Sequence, residues 1–317
     1  MDSRLVGEIN SLLVAALEEA QGDTALVGDI GRLLTAEAEV RGSSSSTLEL
    51  PMLTCEAAGG DAQQAMRAAA AVHGLGVAIE ILDDVQDGDA ARAIQNSTGL
   101  ARITNVSSAL LASSSLCLSK LPESMYRDID QLLHRTVLRI LGGQHRELAA
   151  GEGHTIEECL ETIGGKVGSF YAFAARSGGR CVTSNEAMLA ALEEFGYNAG
   201  VMMQIVDDLL GFRQQGSDGD LANGRRKIPV VYALSVASPP ERTRLEGLLK
   251  PATEDQAAER DARQLMVSLG AEVYLFAEMS RYRARALDAL EQLPDALARI
   301  EPLRGWLASR QPPHRGW

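Results

Sequence analysis

Positive charge is in short supply in this chain. Lysine and arginine number 30 against 43 aspartates and glutamates, a formal net charge of −13, so a nucleic-acid phosphate backbone would on average be repelled. Cysteine is sparse too. Cys55, Cys117, Cys159 and Cys181 lie far apart and show no paired spacing of the kind that holds zinc or a redox disulfide, which leaves reduced, mostly buried thiols. No apolar run approaches the length of a bilayer span, and Met1-Asp2-Ser3-Arg4 leads into an amphipathic pattern rather than a signal-peptide core. The expectation is a cytoplasmic protein without an integral membrane segment. Strand-like alternation is nearly missing, as are a repeat of fixed period and any composition shift that would mark a second domain.

What is present is helical periodicity. With 45% hydrophobic and 23% charged residues, the composition is that of an ordinary globular protein. Leu5, Ile9, Leu12, Leu13, Ala16 and Leu17 place one apolar stripe along an opening helix. Breakers at Gly22-Asp23, Ser43 to Ser46, Gly59-Gly60, Pro122, Gly178-Gly179, Pro239-Pro240, Pro251 and Pro294 cut the pattern into about ten helices. Thr155 and Glu158 have capping-box spacing, and Gly59-Gly60-Asp61 reads as one helix ending and the next being capped. A long helix is predicted from Asp61 to Asp87, and polar interruptions at Ser43 to Thr47 and Gln214 to Arg226. The expected architecture is all-α, with one domain over residues 1–309 and a loose tail over 310–317, where Gln311-Pro312-Pro313-His314 stands.

Carboxylates carry the chemistry. Asp83, Asp84 and Asp87 close a strongly apolar helix, and Asp83 and Asp87, four apart, share a face on which they can grip a cation together. Asp207-Asp208 close a second apolar run, Val201 to Val206. Carboxylates from facing helices are a known way to assemble a metal cluster. Their oxygens suit Mg²⁺, which keeps waters and bridges to substrate phosphates, so a diphosphate becomes the natural ligand. Lys166, in Gly164-Gly165-Lys166-Val167-Gly168, and Lys227, in Arg225-Arg226-Lys227-Ile228-Pro229, could cover that anion. His73 and His145 are isolated and receive no role.

In this order the pieces resemble the polyprenyl synthetase superfamily of trans-isoprenyl diphosphate synthases and their terpene-cyclising relatives. Leu50-Pro51 through Asp61 resembles the lead into the first aspartate motif, which is Asp83-Asp84-Val85-Gln86-Asp87. Gly143-Gln144 with Glu147-Leu148 resembles the Gly-Gln helix, and Gln204-Ile205-Val206-Asp207-Asp208 the second aspartate motif. Asp220-Leu221 and Gly224 through Leu234 resemble the segment carrying the last lysine. The resemblance implies a single-domain isoprenoid-synthase-like helical bundle with a central active-site cavity, working as a homodimer. It also implies a catalytic set of Asp83, Asp84, Asp87, Asp207 and Lys166 acting on an allylic prenyl diphosphate. Metal would be held by Asp83, Asp87, Asp207 and Asp208, and the diphosphate by Arg92, Lys166, Lys227 and Gln204, with about three Mg²⁺ ions once substrate is bound.

Departures from the family pattern set a further expectation. The positions where elongating members hold isopentenyl diphosphate read here Thr47, Leu50, Gly76 and Ala93, none of them cationic. Losing charge-assisted contacts worth roughly 1.5–3 kcal/mol each predicts poor use of that substrate. The expected activity is therefore that of a class I terpene synthase, which ionises the allylic diphosphate and closes the cation on itself. Prenyl transfer to a peptide or aromatic acceptor, ordinary chain elongation and a non-catalytic subunit are the alternatives. Two further features bear on it: Gly211 stands where the second motif's last aspartate is expected, and aromatic residues make up only 4%. Ala78 and Ile79 leave the wall before the first motif free of rings, which suggests a substrate of roughly fifteen to twenty carbons.

Asp83→Ala and Asp87→Ala should each nearly abolish turnover while leaving the helical circular-dichroism spectrum and melting temperature close to wild type, because these carboxylates organise metal rather than pack. Full turnover by both variants at limiting Mg²⁺ would exclude this helix end as a metal site.

Overall fold

The computed structural model of the chain describes residues 3–41, 46–86, 99–149, 155–216, 219–293 and 297–310. The protein is all-α: among the described residues every regular element is a helix and none is a strand. The chain forms two compact units, each assembled from three stretches. The first comprises Met1–Leu138, Phe170–Gly196 and Ala289–Arg304, and the second Arg139–Ser169, Tyr197–Asp288 and Gly305–Trp317.

In the first unit, α1 (Ser3–Glu19) packs on α2 (Thr24–Arg41), and the stripe its sequence announces is buried. Val6, Ile9, Leu13 and Leu17 are buried along it, and Leu5, Leu12 and Ala16 flank them half-exposed. After α3 (Ser46–Ala57) the chain turns at Gly59, whose φ is +98°, a conformation that favours glycine. Asp61 then caps a short 3₁₀ turn: its carboxylate accepts from the Gln63 amide at 2.8 Å, and Gln64 accepts from the Asp61 amide at 2.8 Å. The turn runs into α4 (Met66–Gln86), so the long helix predicted here exists, with its first turn tightened; Asp87 lies outside the described residues.

From Ala68 to Leu75 every residue of α4 is buried, as in a helix surrounded by protein. This accounts for its apolarity. Contrary to the expectation that no run approaches a bilayer span, Ala62–Gln86 is long and apolar enough to cross a membrane, but 72% of its 18-residue apolar window is buried inside the protein. Its main neighbour is α5 (Leu100–Leu118), which brings small polar residues to the contact. Ser107 donates to the Ala78 carbonyl at 2.8 Å, and Ser113 to the Leu13 carbonyl of α1 at 2.7 Å, so these buried hydroxyls are satisfied.

Further along run α6 (Glu123–Ala149), α7 (Ile156–Ile163), a π-helical turn (Gly164–Gly168), α8 (Ser169–Arg180) and α9 (Glu186–Arg213). The Thr155–Glu158 capping box forms as its spacing predicts. Gly178-Gly179 does not break the chain where expected: both lie inside α8. Their missing side chains let the helix approach the Pro51 backbone and Leu192, contacts that outweigh a propensity cost of about 1 kcal/mol per glycine.

The remaining helices are α10 (Ile228–Val236), α11 (Pro239–Leu249), α12 (Gln256–Ser268), α13 (Ala271–Glu291) and α14 (Leu297–Ala308). Pro239-Pro240 open α11, where proline's missing amide costs nothing. The core of the second unit gathers Phe212, Leu221, Val230, Ala233, Leu245, Ala262, Met266 and Ala271, and Tyr232 stacks on Tyr274 with ring centroids 4.3 Å apart.

Leu13→Ala should lower stability by about 2–5 kcal/mol, read from the urea midpoint, because a fully buried leucine leaves a cavity. Val273→Ala, at a 62% exposed position, should change it by less than about 0.5 kcal/mol.

Candidate active site

The second unit collects most of the polar residues that the sequence singles out. Helix α9 carries Gln204 and Asp208 four residues apart, and the Gln204 amide donates to Asp208 Oδ1 at 3.0 Å. Asp208 is only 2% exposed, and its Oδ2 is buried without a hydrogen-bond partner of good geometry. Burial lifts this carboxyl to about 6; Lys227, Gln204 and the amide of Ile228, at the start of α10, pull against the rise, and Asp220 adds to it. Asp207, one position earlier, reaches solvent. The surrounding protein still displaces enough water to raise its carboxyl above the ordinary value, opposed by Lys227 and helped by Asp220.

Lys166 stands on the π-helical turn, a distortion of the kind that often re-aims a side chain at a functional site. Its stem lies against Gly143 of α6: a Cβ there would come within 2.8 Å of Lys166 Cγ, so the approach requires glycine. The ammonium donates to Gln144 Oε1 and, at 2.7 Å, to Glu147 Oε2. Lys227 Nζ lies 3.7 Å from the other Glu147 oxygen, so one carboxylate bridges both lysines. Burial pushes Glu147 upward, but Lys227 and Lys166 prevail and hold its carboxyl below the usual range. Burial also works against the charge on Lys227, yet Asp208, Glu147 and Asp220 keep its pKa above the ordinary lysine value. Gln144 Nε2, on a residue 6% exposed, is buried and has no acceptor.

Lys166, Lys227, Gln204, Asp207 and Asp208 are thus brought into one unit. Asp83 and Asp84 end α4 in the other, both half-buried, while Asp87 and Arg92 lie outside the described residues. Sequence reasoning assigned no role to Glu147, Asp220 or Arg225. Arg225 stands 4.0 Å from Asp220, and the signal that could have found the three was their place inside the quoted motif segments. Among the described residues no three His, Cys, Asp or Glu side chains come together to hold an ion by themselves. The donors are carboxylates, one with an orphaned oxygen, and Mg²⁺ typically needs one or two such groups plus water and substrate phosphate. The residues present fit that ion.

Comparison with known proteins agrees with the fold and corrects the activity. The sequence profile described as Polyprenyl synthetase matches residues 48–266. A short chain isoprenyl diphosphate synthase of Methanothermobacter thermautotrophicus is 28% identical over 266 residues, 79% of this chain and 80% of the relative. A nonaprenyl diphosphate synthase of Mycobacterium tuberculosis is 28% identical over 251 residues, 73% of each. The crystal structure of a geranylgeranyl pyrophosphate synthase from Corynebacterium glutamicum, complexed with calcium and isoprenyl diphosphate, superposes with a TM-score of 0.76 at 25% identity. It covers 98% of this chain and 97% of that one. These relatives are synthases of prenyl diphosphates, products that keep a diphosphate, whereas the product of a cyclase keeps none, so the expectation of a terpene synthase that does without isopentenyl diphosphate is overturned.

The error came from reading absences. Leu50 is fully buried as a core residue of α3, and Gly76 faces the ring of Phe170, 3.2 Å from where a Cβ would stand. Such positions show only that the charge is not supplied from there; Ala93 lies outside the described residues.

The raised Asp208 carboxyl makes a signed prediction for the protein without divalent metal. Its folded-state value near 6 exceeds the unfolded value of 3.8, so its contribution to stability is fully present below the unfolded value and is lost as pH rises through 6. Asp208→Asn, which cannot ionise, should gain stability relative to wild type between about pH 4 and pH 6 and keep a constant advantage above. Urea unfolding across that range measures the difference.

Proposed function

The chain belongs to the polyprenyl synthetase family, and on that premise we propose that it is a chain-elongating prenyl diphosphate synthase. It joins an allylic diphosphate to isopentenyl diphosphate and yields the longer linear diphosphate plus free diphosphate. The observation that carries this reading is the pair of cations, Lys166 and Lys227, tied to Glu147 close to the carboxylates of α9. A single lysine on a surface is solvation. Two partly buried ammonium groups that share Glu147, with Lys227 also close enough to act on Asp207 and Asp208, suit a ligand that brings several negative charges together with a divalent cation.

In this reading the allylic C1–O bond breaks first and its electron pair leaves with the diphosphate. Lys166 and Lys227 bind that group and stabilise the charge growing on it. When bound, Mg²⁺ would supply further neutralisation of the leaving group, and the carboxylates that the sequence offers to hold it are Asp207 and, at the first motif, Asp83 and Asp87. The double bond of isopentenyl diphosphate then attacks the allylic C1, and the proton lost in restoring a double bond passes to the released diphosphate, a base already at hand. No covalent enzyme intermediate is needed. Glu147 is a positioning residue here: it holds both ammonium groups in one geometry, so that little reorganisation remains when the anion enters.

The test incubates the protein with radiolabelled isopentenyl diphosphate, Mg²⁺ and allylic diphosphates of increasing length. Label should appear in longer linear diphosphates, and diphosphate release should require both substrates. Release from the allylic substrate alone, with no label incorporated, would refute the proposal. Lys166→Met and Lys227→Met keep most of the aliphatic stem and should each lower kcat/KM by about a hundredfold or more, with the fold retained.

A further inference from the structure

The end of α9 is held by a buried ion pair that the proposed chemistry does not touch. Arg263 of α12 donates from Nε to the Phe212 carbonyl at 2.7 Å and from Nη2 to the Gln214 carbonyl at 2.6 Å. The same Nη2 reaches Glu259 Oε1 at 2.6 Å, and the guanidinium stands 6.0 Å from the Phe212 ring centroid. Glu259 is 2% exposed and in turn accepts from the Gly216 amide, at 3.4 Å on each oxygen. The last carbonyls of a helix have no partner within it and carry partial negative charge, so a cation at this point satisfies both needs.

Past this clamp the chain doubles back. Gly216 has a φ of +77°, the Gly219 amide donates to the Gly216 carbonyl at 2.9 Å, and the Asp220 amide donates to the Gly211 carbonyl at 3.2 Å. Asp220 therefore lies directly over Gly211: a Cβ at 211 would sit 2.2 Å from Asp220 Oδ2. Position 211 is one helical turn beyond Asp207 and shares its face. This is the place at which the second aspartate motif lacks its last carboxylate. The loop brings a carboxylate to the spot where the helix has none, and it can do so only because residue 211 has no side chain.

A buried ion pair is a poor choice for stability alone, since desolvation cancels much of the attraction and an apolar pair would often serve as well. What it supplies here is position. We propose that Arg263, with Glu259, is a positioning residue that fixes the turn after α9, so that Asp220 provides beside Asp207 the carboxylate that position 211 does not. This rests on the proposed function, because the carboxylates matter through the Mg²⁺ that accompanies a diphosphate.

The experiment follows Mg²⁺ uptake by calorimetry in the presence of inorganic diphosphate, alongside the Mg²⁺ concentration that half-saturates turnover. It compares the wild type with Asp220→Asn, with the double variant Glu259→Gln/Arg263→Met, which removes both buried charges so that neither is stranded, and with all three changes together. Asp220→Asn and the double variant should each raise the Mg²⁺ requirement about ten- to a hundredfold. The triple variant should raise it no further than Asp220→Asn alone, because the clamp acts through Asp220. Leu245→Ala, a cavity in the same core, should lower the melting temperature without moving the Mg²⁺ requirement. Wild-type Mg²⁺ affinity in the folded double variant, or effects that multiply in the triple variant, would overturn the proposal. Failure of the wild type to take up Mg²⁺ with diphosphate would instead refute the proposed function, and this inference with it.

Discussion

The charge on Lys227 is the constraint on which the second unit's polar interior depends. Besides Asp207, three more deeply placed carboxylates, Asp208, Glu147 and Asp220, feel it, and each is pushed toward its neutral form by burial. Only Glu147, which faces two lysines, ends below the usual carboxylate range; Asp208, deepest of the three, is raised to about 6. A low-dielectric setting enlarges every such interaction, favourable or not. Lys227 immediately precedes α10, so its position is coupled to a helix start, where the amide of Ile228 turns a partial positive charge toward Asp208.

Helix ends do comparable work elsewhere in that unit. The π turn at Gly164–Gly168 presents Lys166, and the bare surface of Gly143 lets it settle against α6. The clamp of Arg263 and Glu259 terminates α9 and determines where the chain turns. At the end of α9 a charged side chain takes up the free carbonyls, whereas the π turn directs its charged side chain to Gln144 and Glu147 of α6. Irregular backbone is where strain and polarity can be put to use.

The corrected activity has a physical lesson. Thr47, Leu50, Gly76 and Ala93 carry no charge, and a missing charge at one position says nothing about which other position supplies it. Leu50 is committed to the core, and the space beside Gly76 is taken by Phe170. Gly211 has the same character. As a letter it reads as a lost ligand; in the folded chain it is the floor on which Asp220 rests.

By itself the sequence determined the features with local causes. The apolar stripe of α1 follows from residue spacing, the boxes at Asp61 and Thr155 from one side chain reaching three residues along, and the opening of α11 from Pro239-Pro240. The ordered motifs were enough to identify the family and to name Lys166, Gln204, Asp207, Asp208 and Lys227 as candidates for one site. Only the tertiary structure decided which carboxylate bridges the lysines, which aspartate is buried and which open, and that Asp220 covers Gly211. It also decided that Gly178-Gly179 remain helical. These depend on contacts between residues distant in sequence, such as Arg263 with Phe212 and Glu147 with Lys227, whose energies are set by burial and approach distance, and neither quantity is encoded in spacing along the chain.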